Sequence, residues 1–177
     1  MKVVENERAI PFETTDAFGN EVSLSTLKGK KVFLSFLRYT GCPVCNFRVH
    51  ELIKRKQEIE QANVEVILVF ESSNEHIRKY IDHQDIPFKV IGDAELSLYK
   101  KYGVEASWAK FFKSLFTKKL FIESVKGIKL FKKASSLKGT LNRIGADFLI
   151  DENSTIRSVY YGKTLGDHMP IDLVTVA

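Results

Sequence analysis

Residues 31–45 read KVFLSFLRYTGCPVC, and the fold turns on this stretch. Lys31–Arg38 is short, apolar and rich in β-formers, which predicts a central strand. Gly41, Cys42 and Pro43 end it, and a helical pattern follows from Val44 to about Gln61. Within that pattern Cys45, Val49, Leu52 and Ile53 share one helix face. Val64–Phe70 (VEVILVF) then predicts a second central strand. Strand, helix and strand make a βαβ unit, and a C-x-x-C stands where the first strand meets the helix.

Further out, Ala9–Val22 reads as extended chain around a turn, with Asp16, Gly19 and Asn20 as the turn residues. Asn74–Asp82 predicts a helix capped by Asn74. Phe88–Ile91 predicts a short strand, and Ala94–Tyr102 a short helix stopped at Gly103. Asp147–Ile150 and Thr155–Tyr161 predict two strands joined by a turn at Asp151–Ser154, and Gly166–Val174 a final helix or loop. A βαβ unit followed by an antiparallel ββα unit is the thioredoxin arrangement. The fold class is therefore α/β, with a mixed central sheet and helices on both faces. The pattern alone also allows a flavodoxin-like or other open α/β sheet; the cysteines decide between them.

The chain has 177 residues, 44% hydrophobic and 28% charged. That balance suits one folded domain over residues 1–177 and excludes a disordered or fibrous chain. Two cysteines cannot build a cystine scaffold. The longest wholly apolar run is Val66–Phe70, too short for a membrane-spanning helix. The opening MKVVENERAI carries acids where a signal peptide would be apolar, so the expectation is a mature cytoplasmic protein.

The net charge of +5 is local. From Ala106 to Thr140 there are nine lysines and one acid, Glu123, a segment charge of +8. The rest of the chain is net negative, which argues against nucleic acid as a partner. Trp108, Phe111, Phe112, Leu115 and Phe116 give clean helical turns. Lys118 and Lys119 then interrupt the apolar face, so a single long helix is not expected. The segment reads as a basic, aromatic-rich helical insert. One reading buries its aromatics on the sheet and solvates its lysines; another makes it a surface for an anionic membrane.

The C-x-x-C has a physical logic at this place. Pro43 suits the first helical position, where its missing N–H is not needed. Cys42 then stands at the N-cap, before free amide groups and the positive end of the helix dipole, and both favour thiolate. Arg38 adds a nearby cation. Cys45 lies one turn on, so the two sulfurs can approach bonding distance. The expectation is an exposed, low-pKa Cys42 and a shielded Cys45. A zinc site would need two more ligands, and the histidines show no suitable pair.

The stretch PFETTDAFGNEVSLSTLKGKKVFLSFLRYTGCPVC and the later GADFLIDENSTIRSVYYGKTLGDH resemble the alkyl hydroperoxide reductase/thiol-specific antioxidant (AhpC/TSA) family. The likeness is to its peroxiredoxin-like branch with a C-P-x-C motif. It covers most of the chain, with residues 106–140 as the insert between the halves. The resemblance implies a peroxidatic Cys42 resolved by Cys45, with no metal and no organic cofactor. The family's threonine three residues before that cysteine is here Tyr39, with Thr40 beside it. Its later arginine has Arg143 as the nearest match. Where thioredoxins carry a cis-proline, this sequence has Ala146.

The resemblance implies a thiol-dependent oxidoreductase that reduces a peroxide through a Cys42–Cys45 dithiol/disulfide cycle. An external thiol of thioredoxin or glutathione type would reset it. Arg38, Tyr39, Thr40 and Arg143 are the candidate supporting residues. Two alternatives stand beside this: a thiol-disulfide reductase using the same cysteines, and a non-enzymatic redox-sensing or membrane-surface adaptor working through the insert. Asp147, next to where the dithiol should face, reads as a strand-end residue bonded to backbone, with a proton relay as the alternative. Asp167-His168 resembles a family tail motif, and Trp108 reads as packing.

Overall fold

The computed structural model of the chain describes residues 2–81, 86–130 and 139–176. Asp16 shapes the first turn, its carboxylate accepting the N–H groups of Phe18 and Asn20 and the Asn20 side chain. Strands β1 (Glu13–Thr15) and β2 (Glu21–Ser23) pair antiparallel across it. Strand β3 is Lys31–Phe36. Leu37 and Arg38 leave it toward the helix, although the Leu37 N–H still reaches the Val69 carbonyl at 2.8 Å.

The helix expected to run to Gln61 is two helices, α1 (Pro43–Lys54) and α2 (Lys56–Gln61). They break at Arg55, whose backbone leaves helical values (φ −104°, ψ 17°) while its guanidinium bonds Glu58 and Asp172. Neither Gly nor Pro marks that break. Strand β4 (Val64–Phe70) has the predicted bounds. Helix α3 (Asn74–Ile81) is capped by Ser73, not Asn74: the Ser73 Oγ accepts the His76 N–H at 3.2 Å. The Asn74 amide instead ties the Thr15 carbonyl to the Gly92 N–H. Asp82, the predicted end of this helix, lies outside the described residues.

Strand β5 is Lys89–Gly92 and helix α4 is Ser97–Lys101. The Asp93 carboxylate accepts the first amides of α4, from Ser97, Leu98 and Tyr99. The insert forms α5 (Trp108–Leu115) and α6 (Lys118–Leu130), with the break where the lysines interrupt the apolar face. Its remainder, 131–138, lies outside the described residues. Strands β6 (Ala146–Ile150) and β7 (Ile156–Tyr161) and helix α7 (Ile171–Thr175) complete the chain.

The main sheet has the order β5-β4-β3-β6-β7. β3, β4 and β5 run parallel; β6 runs antiparallel to β3, and β7 antiparallel to β6. Alternation along the strands feeds two cores. Phe33, Val66, Leu68 and Leu149 pack with Val44, Cys45, Val49 and Leu52 of α1, Ile59 of α2 and Ile77 of α3. Val32, Leu34, Phe36, Ile67 and Phe148 pack with Leu98 and Tyr99 of α4 and with Phe12 and Val22 near the hairpin. Both faces are covered, as the thioredoxin-like reading expects. The loops after β3 and β4 meet at the carboxyl ends of the parallel strands, the usual place for a site in such sheets.

Candidate active site

Cys42 takes the N-cap position of α1, with extended backbone and Pro43 behind it. Its sulfur makes no close capping bond. The Arg38 Nη1–H donates to it at 3.2 Å. The Arg38 backbone N–H donates to the Cys45 sulfur at 3.3 Å. Arg38 therefore grips both sulfurs, one through its side chain and one through its main chain. Both cysteines are free thiols.

These contacts pull the two thiols apart in acidity. The Cys42 thiol is brought down to about 6. The Cys45 thiol, donating to it, is the largest cause. Burial opposes the shift, and the Arg38 charge and the amides of Val44 and Cys45 add to it. Burial pushes Cys45 well above the ordinary thiol range, and the neighbouring Cys42 adds to that. The pair thus holds one thiolate and one thiol at neutral pH. Burial works against the Arg38 charge, but both cysteines hold it, and its pKa moves up.

One expectation fails: Cys42 is 0% exposed, no more open than Cys45. It is reactive by electrostatics but sealed from solvent. Helix α6 packs along α1, with Gly127 against the Pro43 carbonyl, one residue from Cys42.

The other sequence candidates separate into two groups. Tyr39 stays at the site. The Arg38 guanidinium lies over its ring at 5.2 Å, and burial, then Cys42, push its phenol up. Thr40 is turned to the β4 loop, with its N–H and Oγ1 at 3.3 and 3.4 Å from the Ser72 Oγ. Arg143 is held elsewhere. Its Nε donates to Glu71 at 2.8 Å, its Nη1 reaches the Val104 carbonyl, and its guanidinium faces the Tyr99 ring. The chain beside Arg143 does reach Arg38, the partner of the dithiol: the Leu141 carbonyl accepts from Arg38 Nη2.

A second buried cluster was misread in the sequence. Asp147 is more than a strand-end residue bonded to backbone. Fully buried opposite Ser35 in the β3–β6 register, it accepts from the Ser35 Oγ (2.6 Å) and the Met169 N–H (2.7 Å). It also pairs with His168 Nδ1 at 3.0 Å. Arg48 bonds the Met169 carbonyl at 2.7 Å and adds positive charge near Asp147. His168 faces a cleft of about 380 Å³, shared with Phe47, Arg48, Glu51 and Glu123, that includes neither cysteine in its walls. Among the described residues, no group of His, Cys, Asp and Glu could hold a metal ion.

The model of the AhpC/TSA family matches residues 6–159. Peroxiredoxin Q, chloroplastic, of Sedum lineare is 27% identical over 103 residues, 58% of this chain and 55% of that protein. The chain spans about half the length of the curated relatives it matches. Among solved structures, a yeast mitochondrial 1-Cys peroxiredoxin, studied for thiol resolution via glutathione/thioredoxin systems, aligns at TM-score 0.68 and 18% identity. That match covers 98% of this chain and 73% of the other. Peroxidoxin BcpB of Mycobacterium tuberculosis aligns at TM-score 0.64 and 16% identity, covering 97% and 94%. At these identities the structural matches speak for the fold.

Proposed function

This chain belongs to the AhpC/TSA family, and on that premise we propose that it is a thiol peroxidase in which Cys42 reduces the peroxide and Cys45 resolves the product. The observation that carries this reading is the Cys42 sulfur held between the Arg38 guanidinium and the Cys45 thiol, with its pKa brought down to about 6.

The Cys42 thiolate attacks one oxygen of the peroxide, ROOH. The O–O bond breaks, Cys42 becomes a sulfenic acid, and RO⁻ leaves and takes a proton as ROH. The Cys45 thiol then attacks the Cys42 sulfur. A disulfide forms, and the hydroxyl leaves with the Cys45 proton as water. Two external thiols of thioredoxin or glutathione type reduce that disulfide by exchange and are themselves oxidised to a disulfide.

Arg38 is the residue placed to hold the peroxide. Its Nη1 and Nη2 are bonded, but its buried Nε–H has no partner among the described residues. A buried donor beside the sulfur suits an incoming oxygen. Tyr39 stands where the family has threonine and walls the guanidinium. In this reading Thr40 and Arg143 support the loops, since Ser72 and Glu71 engage them. An anionic membrane surface at the insert and a cytoplasmic setting, where thiols are kept reduced, belong to the same proposal.

A stoichiometric peroxide pulse followed by mass spectrometry tests it. The expected products are a Cys42–Cys45 disulfide in the wild type and a Cys42 sulfenic acid in Cys45→Ser. Peroxide left unconsumed with both thiols intact would remove the reading. One observation favours a second reading, thiol-disulfide reduction: the Thr40 hydroxyl is engaged with Ser72 rather than with the dithiol. Faster turnover of a disulfide such as insulin than of hydrogen peroxide would select it.

A further inference from the structure

The insert packs beside the site, yet among its described residues little apolar surface is buried. Phe116 is 90% exposed, Phe121 73% and Ile128 61%, and Trp108, Phe112, Leu115 and Ile122 are also exposed. Of α6, Leu120 packs on the core beside α1. The helix comes close at Gly127, where any Cβ would overlap the Pro43 carbonyl, one residue from Cys42. A cleft lined by α1, the 166–171 segment and Glu123 of α6 opens nearby. An element with so few buried apolar contacts opens at low cost.

The insert also has the form of a flap. The chain leaves at Ser107 and is back at Asn142, and the Ser107 N–H bonds the Asn142 carbonyl at 2.8 Å. The returning chain touches the dithiol's partners: Gly139 lies against the Tyr39 ring, and Leu141 takes the Arg38 donor. Movement of the flap is thus felt at Arg38 and Cys42.

We propose that α5 and α6 form a lid over Cys42, that its exposed face docks on an anionic lipid bilayer, and that docking lifts α6 from Pro43 and opens the sulfur to hydroperoxides held at that surface. The peroxide chemistry rests on the function proposed above; the lid and its docking do not.

Charge selects the occupant. Residues 108–130, which hold α5 and α6, carry six lysines and one acid, and exposed Phe, Leu and Ile stand among them. Aromatic and aliphatic groups flanked by lysines suit the boundary between headgroups and acyl chains. A second copy would set lysines against lysines. A nucleic acid offers no hydrocarbon for Leu115, Ile122 and Ile128.

The test follows Cys42 labelling by iodoacetamide in the full chain, with phosphatidylglycerol or phosphatidylcholine vesicles. Trp108, the single tryptophan, reports docking by its emission. Anionic vesicles at low salt should co-sediment the protein, shift that emission to the blue and speed labelling at least about tenfold, as for a tenfold rise in the open fraction. Neutral vesicles should do none of this, and salt should weaken the effect. Phe116→Ser with Phe121→Ser should lose binding and acceleration while labelling normally in solution. Gly127→Ala should label fast without vesicles, because its Cβ forces α6 off Pro43. Binding without faster labelling would overturn the lid; equal affinity for both vesicle types, or none for either, would overturn the docking. A concentration-dependent dimer lost in the Phe variants would assign the face to a second copy instead. Faster labelling without peroxide consumption would count against the peroxidase reading and leave the lid standing.

Discussion

Arg38 Nη1 lies 3.2 Å from the sulfur of Cys42, with the guanidinium on the last turn of chain before the active-site helix rather than on the helix itself. A cation from outside the helix therefore adds to the effect of its N-terminus, and the Cys45 thiol donates from within.

The first prediction follows from that charge. Replacing Arg38 with Met removes a cation that favours the thiolate, so the Cys42 pKa must rise. An opposite charge at this range is worth roughly 1–3 pH units. The midpoint of the labelling rate against pH should move up from about 6 by that much. At pH 7 the wild type is mostly thiolate and the variant at least half thiol. Labelling at pH 7 should fall and recover at higher pH. Peroxide turnover should fall about 100- to 1000-fold, the usual loss for one oriented donor. An unmoved labelling midpoint would remove Arg38 from the site.

The second prediction concerns the division of labour between the cysteines. Cys42→Ser should abolish both peroxide and disulfide turnover. Cys45→Ser should allow one reaction with oxidant and then stop, as a sulfenic acid or a mixed disulfide. Iodoacetamide at neutral pH should modify Cys42 before Cys45, because burial pushes Cys45 well above the ordinary thiol range. Peptide mapping of partly labelled protein checks the order, and Cys45 reacting first would reverse the roles.

The sheet and the dithiol were legible because both are local patterns. VEVILVF is a continuous apolar run, and C-P-x-C sits at a strand–helix junction where Pro43 and Cys42 each have a positional reason. What was illegible depends on distant residues. Cys42 is fully buried, and α6, about 80 residues further on, packs against its neighbour Pro43; no pattern around Cys42 could signal that. Trp108 reads as packing from its periodicity, yet it is exposed, because periodicity places a residue on a helix face without saying what covers that face. Arg143 looked available to the site from its position before β6. Glu71, 72 residues earlier, takes its charge. Asp147 and His168 are 21 residues apart on different elements, and only the antiparallel return of β7 brings them together. The apolar strand around Asp147 was the one signal, since a buried carboxylate requires a partner.

The third prediction is that Arg143 acts on stability. Arg143 and Glu71 pair with side chains 9% and 10% exposed. Breaking a pair this buried leaves an uncompensated charge and costs about 3–5 kcal/mol. Arg143→Ala and Glu71→Gln should each lower the urea midpoint strongly. The double variant should lose less than the sum. A variant of Arg143 with normal stability and lost peroxide turnover would return this residue to the catalytic site.

The fourth prediction concerns pH and the Asp147–His168 pair. Burial works to raise the Asp147 pKa, but His168, Arg48 and Ser35 outweigh it, so the folded-state value lies below the ordinary carboxylate value. The unfolded chain therefore binds this proton at a higher pH than the folded chain does. The stability it contributes is complete above the ordinary carboxylate pKa and is lost as pH falls through the lowered folded value. Asp147→Asn removes that contribution and leaves His168 and Arg48 facing a neutral amide. At pH 7 the variant should be less stable by about 1.5–3 kcal/mol, the usual worth of a hydrogen bond to a charged group. Below pH 4 the gap should narrow, because the wild type then loses what the variant never had. Urea midpoints measured from pH 7 down to pH 3 check this. Parallel curves for the two proteins would mean that Asp147 is not the ionised partner in this cluster.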